Sequence, residues 1–171
     1  MTRLLTLYGL ALVFANVLVS QLGLPIPAEP LMIAAGALGA GGGGVSAMAS
    51  FALAVTAAVI ADSIWYTAGR VYGDRALQLL GRVPFIPRFG VRQASTSLDR
   101  WGPLALALAL AKFIPGLSTI APALAGSGGI PYFRFLLFDA LGAIFWAGTV
   151  IVLGMLFFAQ ADKVEFLRLY S

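Results

Sequence analysis

The chain has no cysteine, no histidine and only seven Asp and Glu among 171 residues. Without cysteine there is no disulfide, no thiol nucleophile and no thiolate metal ligand. Without histidine the usual zinc sites, haem ligation and the common nucleophile and base pairs are also excluded. A carboxylate-only metal or acid–base site stays open, with few carboxylates to build it. The usual phosphatase chemistry lacks its histidine, so no enzyme activity and no cofactor are expected.

What the chain does have is apolar surface. It is 60% hydrophobic and 11% charged, against roughly 25% charged residues in an ordinary soluble domain. That composition points to an integral membrane protein, read as a single membrane domain over residues 1–171. The net charge of +4 sits mostly in one loop, so it reads as topology before it reads as a nucleic-acid surface. No nucleic-acid partner is expected. The opening "MTRLLTLYGLALVFANVLVSQLG" has the charge and apolar core of a signal peptide; a first transmembrane helix is the expected reading.

Residues 4–22 form an apolar stretch of spanning length. Residues 23–44, "GLPIPAEPLMIAAGALGAGGGG", are also apolar but carry Pro25, Pro27 and Pro30 and end in four glycines, so a straight span is not expected there. Residues 45–72 predict a long helix with Asp62 well inside it and Arg70 near its end. Residues 73–102 hold Arg75, Arg82, Arg88, Arg92 and Arg100 against Asp74 and Asp99, which reads as a basic loop with a short amphipathic surface helix. Residues 103–129 repeat the proline- and glycine-broken pattern, residues 131–159 predict another long helix with Arg134 and Asp139 in its first part, and residues 160–171 are a polar tail.

A broken segment followed by a long helix thus occurs twice, and "IWYTAGRVYG" and "FWAGTVIVLG" share a tryptophan eight residues before a glycine, Trp65 with Gly73 and Trp146 with Gly154. If the basic loop 70–100 is cytoplasmic, the positive-inside tendency orients the long helices. The two broken segments then enter from opposite faces as re-entrant hairpins. The expected fold is an all-α polytopic membrane protein with long transmembrane helices and two opposed re-entrant helical hairpins, an inverted repeat of the transporter type with its site near the midplane.

Broken backbone at membrane depth is tolerated only when buried in protein or facing a wet cavity. In "AKFIPGLSTIAPALAG", Lys112, Gly116, Ser118 and Thr119 bring an ammonium, free backbone amides and hydroxyls to the start of a half-helix, a group suited to phosphate. The alternative is that Lys112 snorkels to the interface and Ser118 caps a helix. Glu29 lies in the first broken segment, either as a proton or ion site, paired across to Lys112, or in water at the hairpin mouth. Asp62 fits a proton or network role, and Arg70 a boundary charge. Arg134 and Asp139 fit either a structural pair or a cavity lining. Trp65, Tyr66, Tyr132 and Trp146 read as packing or interfacial aromatics.

Three motifs in order resemble the DedA family of bacterial membrane proteins, which shares the VTT (SNARE-associated Golgi protein) domain. They are the proline-rich "LGLPIPAEPLMIAAG", the "ADSIWYTAGRVYG" stretch with Asp62, Tyr66, Gly69, Arg70 and Gly73, and "KFIPGLST" followed by Pro122, Ala125, Gly126, Phe135, Gly142, Ala143 and Trp146. The resemblance covers about residues 12–154. It implies a bacterial cytoplasmic-membrane transporter or flippase for a polyisoprenoid phosphate, chiefly undecaprenyl phosphate. Membrane phospholipid is a further candidate partner, protons a candidate coupling ion, and a homo-oligomer a candidate assembly. The family's hairpin acid falls on Glu29, its two essential arginines on Lys112 and Ser118, and a second acid on Ser20. A small-ion or solute transporter or channel is the other reading of the same hairpins.

Overall fold

The computed structural model describes residues 2–42, 44–73, 112–113 and 117–169, and every regular element among them is helical. In chain order these are α1 (Thr2–Gln21), α2 (Glu29–Ala40), α3 (Ala47–Tyr72), α4 (Leu117–Ser127) and α5 (Tyr132–Leu169). Helices α3 and α5 are long and apolar enough to cross a membrane. The 20 residues of α1 have a length of ~30 Å at 1.5 Å per residue. The expected surface helix and basic loop lie outside the described residues, as does most of the first half of 103–129.

Proline and glycine set the boundaries. Pro25 and Pro27 lack an N–H and bias their predecessors to extended backbone, so helix α2 begins only at Glu29, where Pro30 is tolerated in the first turn. The segment 23–44 is therefore one 12-residue helix with a non-helical lead-in. Among the described glycines of the run that follows, Gly42 and Gly44 have φ of 70° and 81°, the left-handed region open to glycine. The turn they make ends at Ser46, whose hydroxyl accepts the Ala49 N–H at 3.3 Å as the N-cap of α3. Helix α5 continues past Ala159, so the polar residues expected as a tail form its last turns.

Buried residues follow helical spacing. On α1 they are Val13, Val17 and Gln21; on α3 they form a stripe of small side chains, Ser50, Ala54, Ala57, Ala58 and Ala61, running into Asp62. The main core joins α1, α2, α3 and α5 around Met32, Val17 and Trp146. Outward, Phe133, Phe145 and Phe157 of α5 and Tyr8 and Leu12 of α1 are exposed. An apolar exterior of this kind suits lipid contact.

The short helices are seated by reciprocal glycine crossings. A Cβ on Gly36 of α2 would collide with the Ile151 carbonyl of α5, and one on Gly154 of α5 with the Ile33 carbonyl of α2. Likewise, a Cβ on Gly126 of α4 would strike the Tyr66 carbonyl of α3, and one on Gly69 the Ala123 carbonyl. Each short helix thus crosses the long helix that does not follow it in sequence, at backbone contact distance. The echo that pairs Gly73 with Gly154 joins glycines of different use: Gly73 ends α3 with φ of 51°, and the partner of Gly154 in function is Gly69.

Gly36→Ala and Gly154→Ala are expected to lower stability by about 1–3 kcal/mol each, because backbone has to move. Gly148→Ala meets nothing nearer than 3.7 Å and should stay within about 1 kcal/mol of wild type. Unfolding of the purified variants in detergent checks this; equal effects at all three positions would contradict the crossings.

Candidate functional site

Three charged side chains that are far apart in sequence meet inside the helices. Lys112, in a turn ahead of α4, is 6% exposed; Asp62 of α3 and Asp139 of α5 are 0% and 1% exposed. The Lys112 ammonium donates to Asp62 Oδ2 and lies 3.0 Å from Asp139 Oδ1. Asp62 stands fifteen residues after Ala47 and ten before Tyr72, ~15 Å or more from either end of its helix. Ionised groups at such depth persist only when paired.

An aromatic clamp one turn away sets the two aspartates opposite each other. Tyr66 stacks on Phe135 with ring centroids 4.6 Å apart, and its hydroxyl donates to the Ile130 carbonyl. Tyr132 leans on Tyr66 at 5.4 Å and shares a 3.1 Å hydrogen bond with Ser63. Asp62 is four residues before Tyr66 and Asp139 four after Phe135, so each aspartate lies on its aromatic's helix face. Pairing 66 with 135 and 62 with 139 also means that α3 and α5 run antiparallel there.

The triad is incompletely compensated. One ammonium faces two carboxylates, and the remaining oxygens, Asp62 Oδ1 and Asp139 Oδ2, are buried with no hydrogen-bond partner. Pro122, buried inside α4, carries no N–H, so the Ser118 carbonyl receives no helix bond from that position. Thr119 is buried, Ser118 half-buried.

The structure brings together some of the expected site residues and separates others. Lys112, Asp62 and Asp139 converge, and Lys112 is buried instead of reaching an interface. Glu29 is exposed in the first turn of α2, a position favourable to an acid, and no ion pair joins it to Lys112 among the described residues. Arg70 and Arg134 are exposed, and Asp139 turns to Lys112. Thr119 lies beside the first break, where a Cβ on Gly23 would sit 3.8 Å from its Cγ2. Gly116 lies outside the described residues. The contribution of Tyr66 and Phe135 to placing the aspartates was not foreseen, although the two four-residue spacings are visible in the sequence.

A family model for the VTT domain matches residues 26–156. The chain belongs to the DedA family of VTT-domain membrane proteins. It is 35% identical over 157 residues to an uncharacterized membrane protein of Mycobacterium tuberculosis, covering 90% of this chain and 70% of that one. It is 30% identical over 129 residues to the inner membrane protein YghB of Escherichia coli, 75% and 57% of the two chains. To Protein DedA of Escherichia coli it is 27% identical over 122 residues, 71% and 54%. No solved structure matches the chain. The VTT-domain match takes in all three charged residues of the triad and both glycine crossings.

Lys112→Ala strands two buried carboxylates and should cost about 3–5 kcal/mol. Adding Asp62→Asn and Asp139→Asn should recover most of that loss. Unfolding measurements on the single and triple variants check the pairing, which would be refuted by equal losses in both.

Proposed function

We propose that this DedA-family protein is a membrane lipid transporter that moves a polyisoprenoid phosphate, such as undecaprenyl phosphate, across the bacterial cytoplasmic membrane. The observation that carries the reading is a lysine buried in the turn ahead of α4, in a chain whose helices expose large apolar side chains. An ammonium, the Ser118 and Thr119 hydroxyls and the free N–H groups that begin α4 form a donor set suited to a phosphate headgroup. No bond in the lipid needs to be made or broken, so the reading is not an enzyme's.

Geometry favours access from both faces. Helices α2 and α4 have 12 and 11 residues, ~18 and ~16 Å, too short for a ~30 Å hydrocarbon core. Each is read as the arm of a re-entrant segment, and the antiparallel α3 and α5 support a reading in which the two segments enter from opposite sides, as in an inverted repeat. Gly23 and Thr119 bring the two breaks near each other, since a Cβ added to Gly23 would lie 3.8 Å from Thr119 Cγ2. The isoprenoid tail would stay in lipid, along an open groove of about 680 Å3 on α3 lined by Val59, Ile64, Ser63, Thr67 and Tyr132. Glu29 would line the opposite mouth. In this reading Asp62 would exchange a proton with Lys112, Arg70 and Arg134 would support the site from outside, and the basic residues 70–100 would face the cytoplasm.

A second reading, a small-ion or solute transporter, is favoured by the excess negative charge of the triad, which attracts a cation. Liposome reconstitution separates the two. Undecaprenyl phosphate should be flipped by wild type, and flipping should fall about tenfold or more in Lys112→Met with Asp62→Asn, from loss of a charge-assisted contact of about 1.5–3 kcal/mol. The pairing of substitutions keeps the site's net charge. Cation flux without lipid movement would replace the first reading by the second.

A further inference from the structure

We propose that Asp62 and Asp139 are the internal anions of an exchange site, holding Lys112 in the empty protein until a phosphate displaces the Asp139 carboxylate. The inference rests on the reading of Lys112 as the headgroup contact. In the structure the ammonium is already engaged by two carboxylates. The ammonium has three N–H donors and two carboxylates already on it, so a phosphate that takes two donors displaces one carboxylate.

Helix packing identifies which one leaves. Helix α4 packs mainly on α3, through Gly126 and Gly69 at backbone contact, and only slightly on α5. Lys112 precedes α4 in the chain and donates to Asp62 on α3 itself. Asp139 sits on α5 and reaches Lys112 from the other side at 3.0 Å. The Lys112–Asp139 contact is thus the one that opens with least repacking.

Charge then constrains the exchange. The empty triad carries one more negative than positive group, with Asp62 Oδ1 and Asp139 Oδ2 buried and unpartnered. Adding a phosphate to that excess in a low-dielectric interior is strongly unfavourable. The Asp139 carboxylate therefore leaves the ammonium as the phosphate arrives, one anion exchanged for another. Among the described residues, the other titratable groups on the packed elements are engaged elsewhere or exposed. Tyr66 is bonded to Ile130, Tyr132 to Ser63, Glu29, Arg70 and Arg134 are exposed, and α4 has no ionisable acid or base.

The test is binding of undecaprenyl phosphate to the purified full chain in nanodiscs, with inorganic phosphate as a separate ligand. Loss of the competing anion should make Asp139→Asn bind about tenfold more tightly than wild type. Asp62→Asn, measured alongside, should gain less, because Asp62 keeps its hold on Lys112 in the bound state. A gain with the lipid alone places the site within reach of the bilayer, and a gain with both ligands marks bare phosphate as sufficient. If Lys112→Met with Asp62→Asn abolishes binding while Asp139→Asn keeps the wild-type affinity, the exchange is overturned and the headgroup reading stands. No binding by folded wild type overturns both.

Discussion

The structure depends on the cost of burying charge where water is absent. One ammonium and two carboxylates are placed between α3, α5 and the turn before α4, and both carboxylates depend on the one ammonium for compensation at that depth. This requirement ties together three segments separated by fifty and twenty-seven residues of chain. It also makes the site and the fold one problem, because the side chains suited to hold a ligand also neutralise one another. A hydrophobic replacement of similar volume could pack as well or better. Retention of three charges there is consistent with use.

The surrounding helices are built to bring those charges together. Alanine and serine on α3 let neighbours approach closely, and two reciprocal glycine pairs bring α2 onto α5 and α4 onto α3 at backbone distance. In lipid, association of helices gains little from hydrophobic burial and much from such contact. The Tyr66–Phe135 stack then sets the register of α3 against α5. A slip of one residue there would turn Asp62 by 100° away from Lys112. Position along the helices is therefore as important as the identity of the charged residues.

Composition and punctuation were enough to recognise an all-helical membrane protein. A hydrophobic content of 60% with no cysteine or histidine gave the class, and Pro25, Pro27, Pro30 and the glycine run marked 23–44 as a broken segment. The long apolar runs located α3 and the start of α5 to within a few residues, while the end of α5 lies ten residues beyond the expected boundary at 159. These features are legible because backbone chemistry is local: proline lacks its N–H wherever it stands, and twenty apolar residues have the length of a bilayer core. Lys112, Asp62 and Asp139 could each be singled out as costly in lipid for the same reason. Their partners could not be assigned. Glu29 was the carboxylate set across from Lys112, and Asp139 was set with Arg134 or in a cavity lining, because pairing depends on which helix faces cross, and those crossings are made by glycines whose reach across the fold has no local signature. The tryptophan echo pointed to Gly73, whereas the contact belongs to Gly69. Charge and chain length thus follow from the residues alone, while the joining of Lys112 to both aspartates arises from long-range packing, where two antiparallel helices and one broken helix converge.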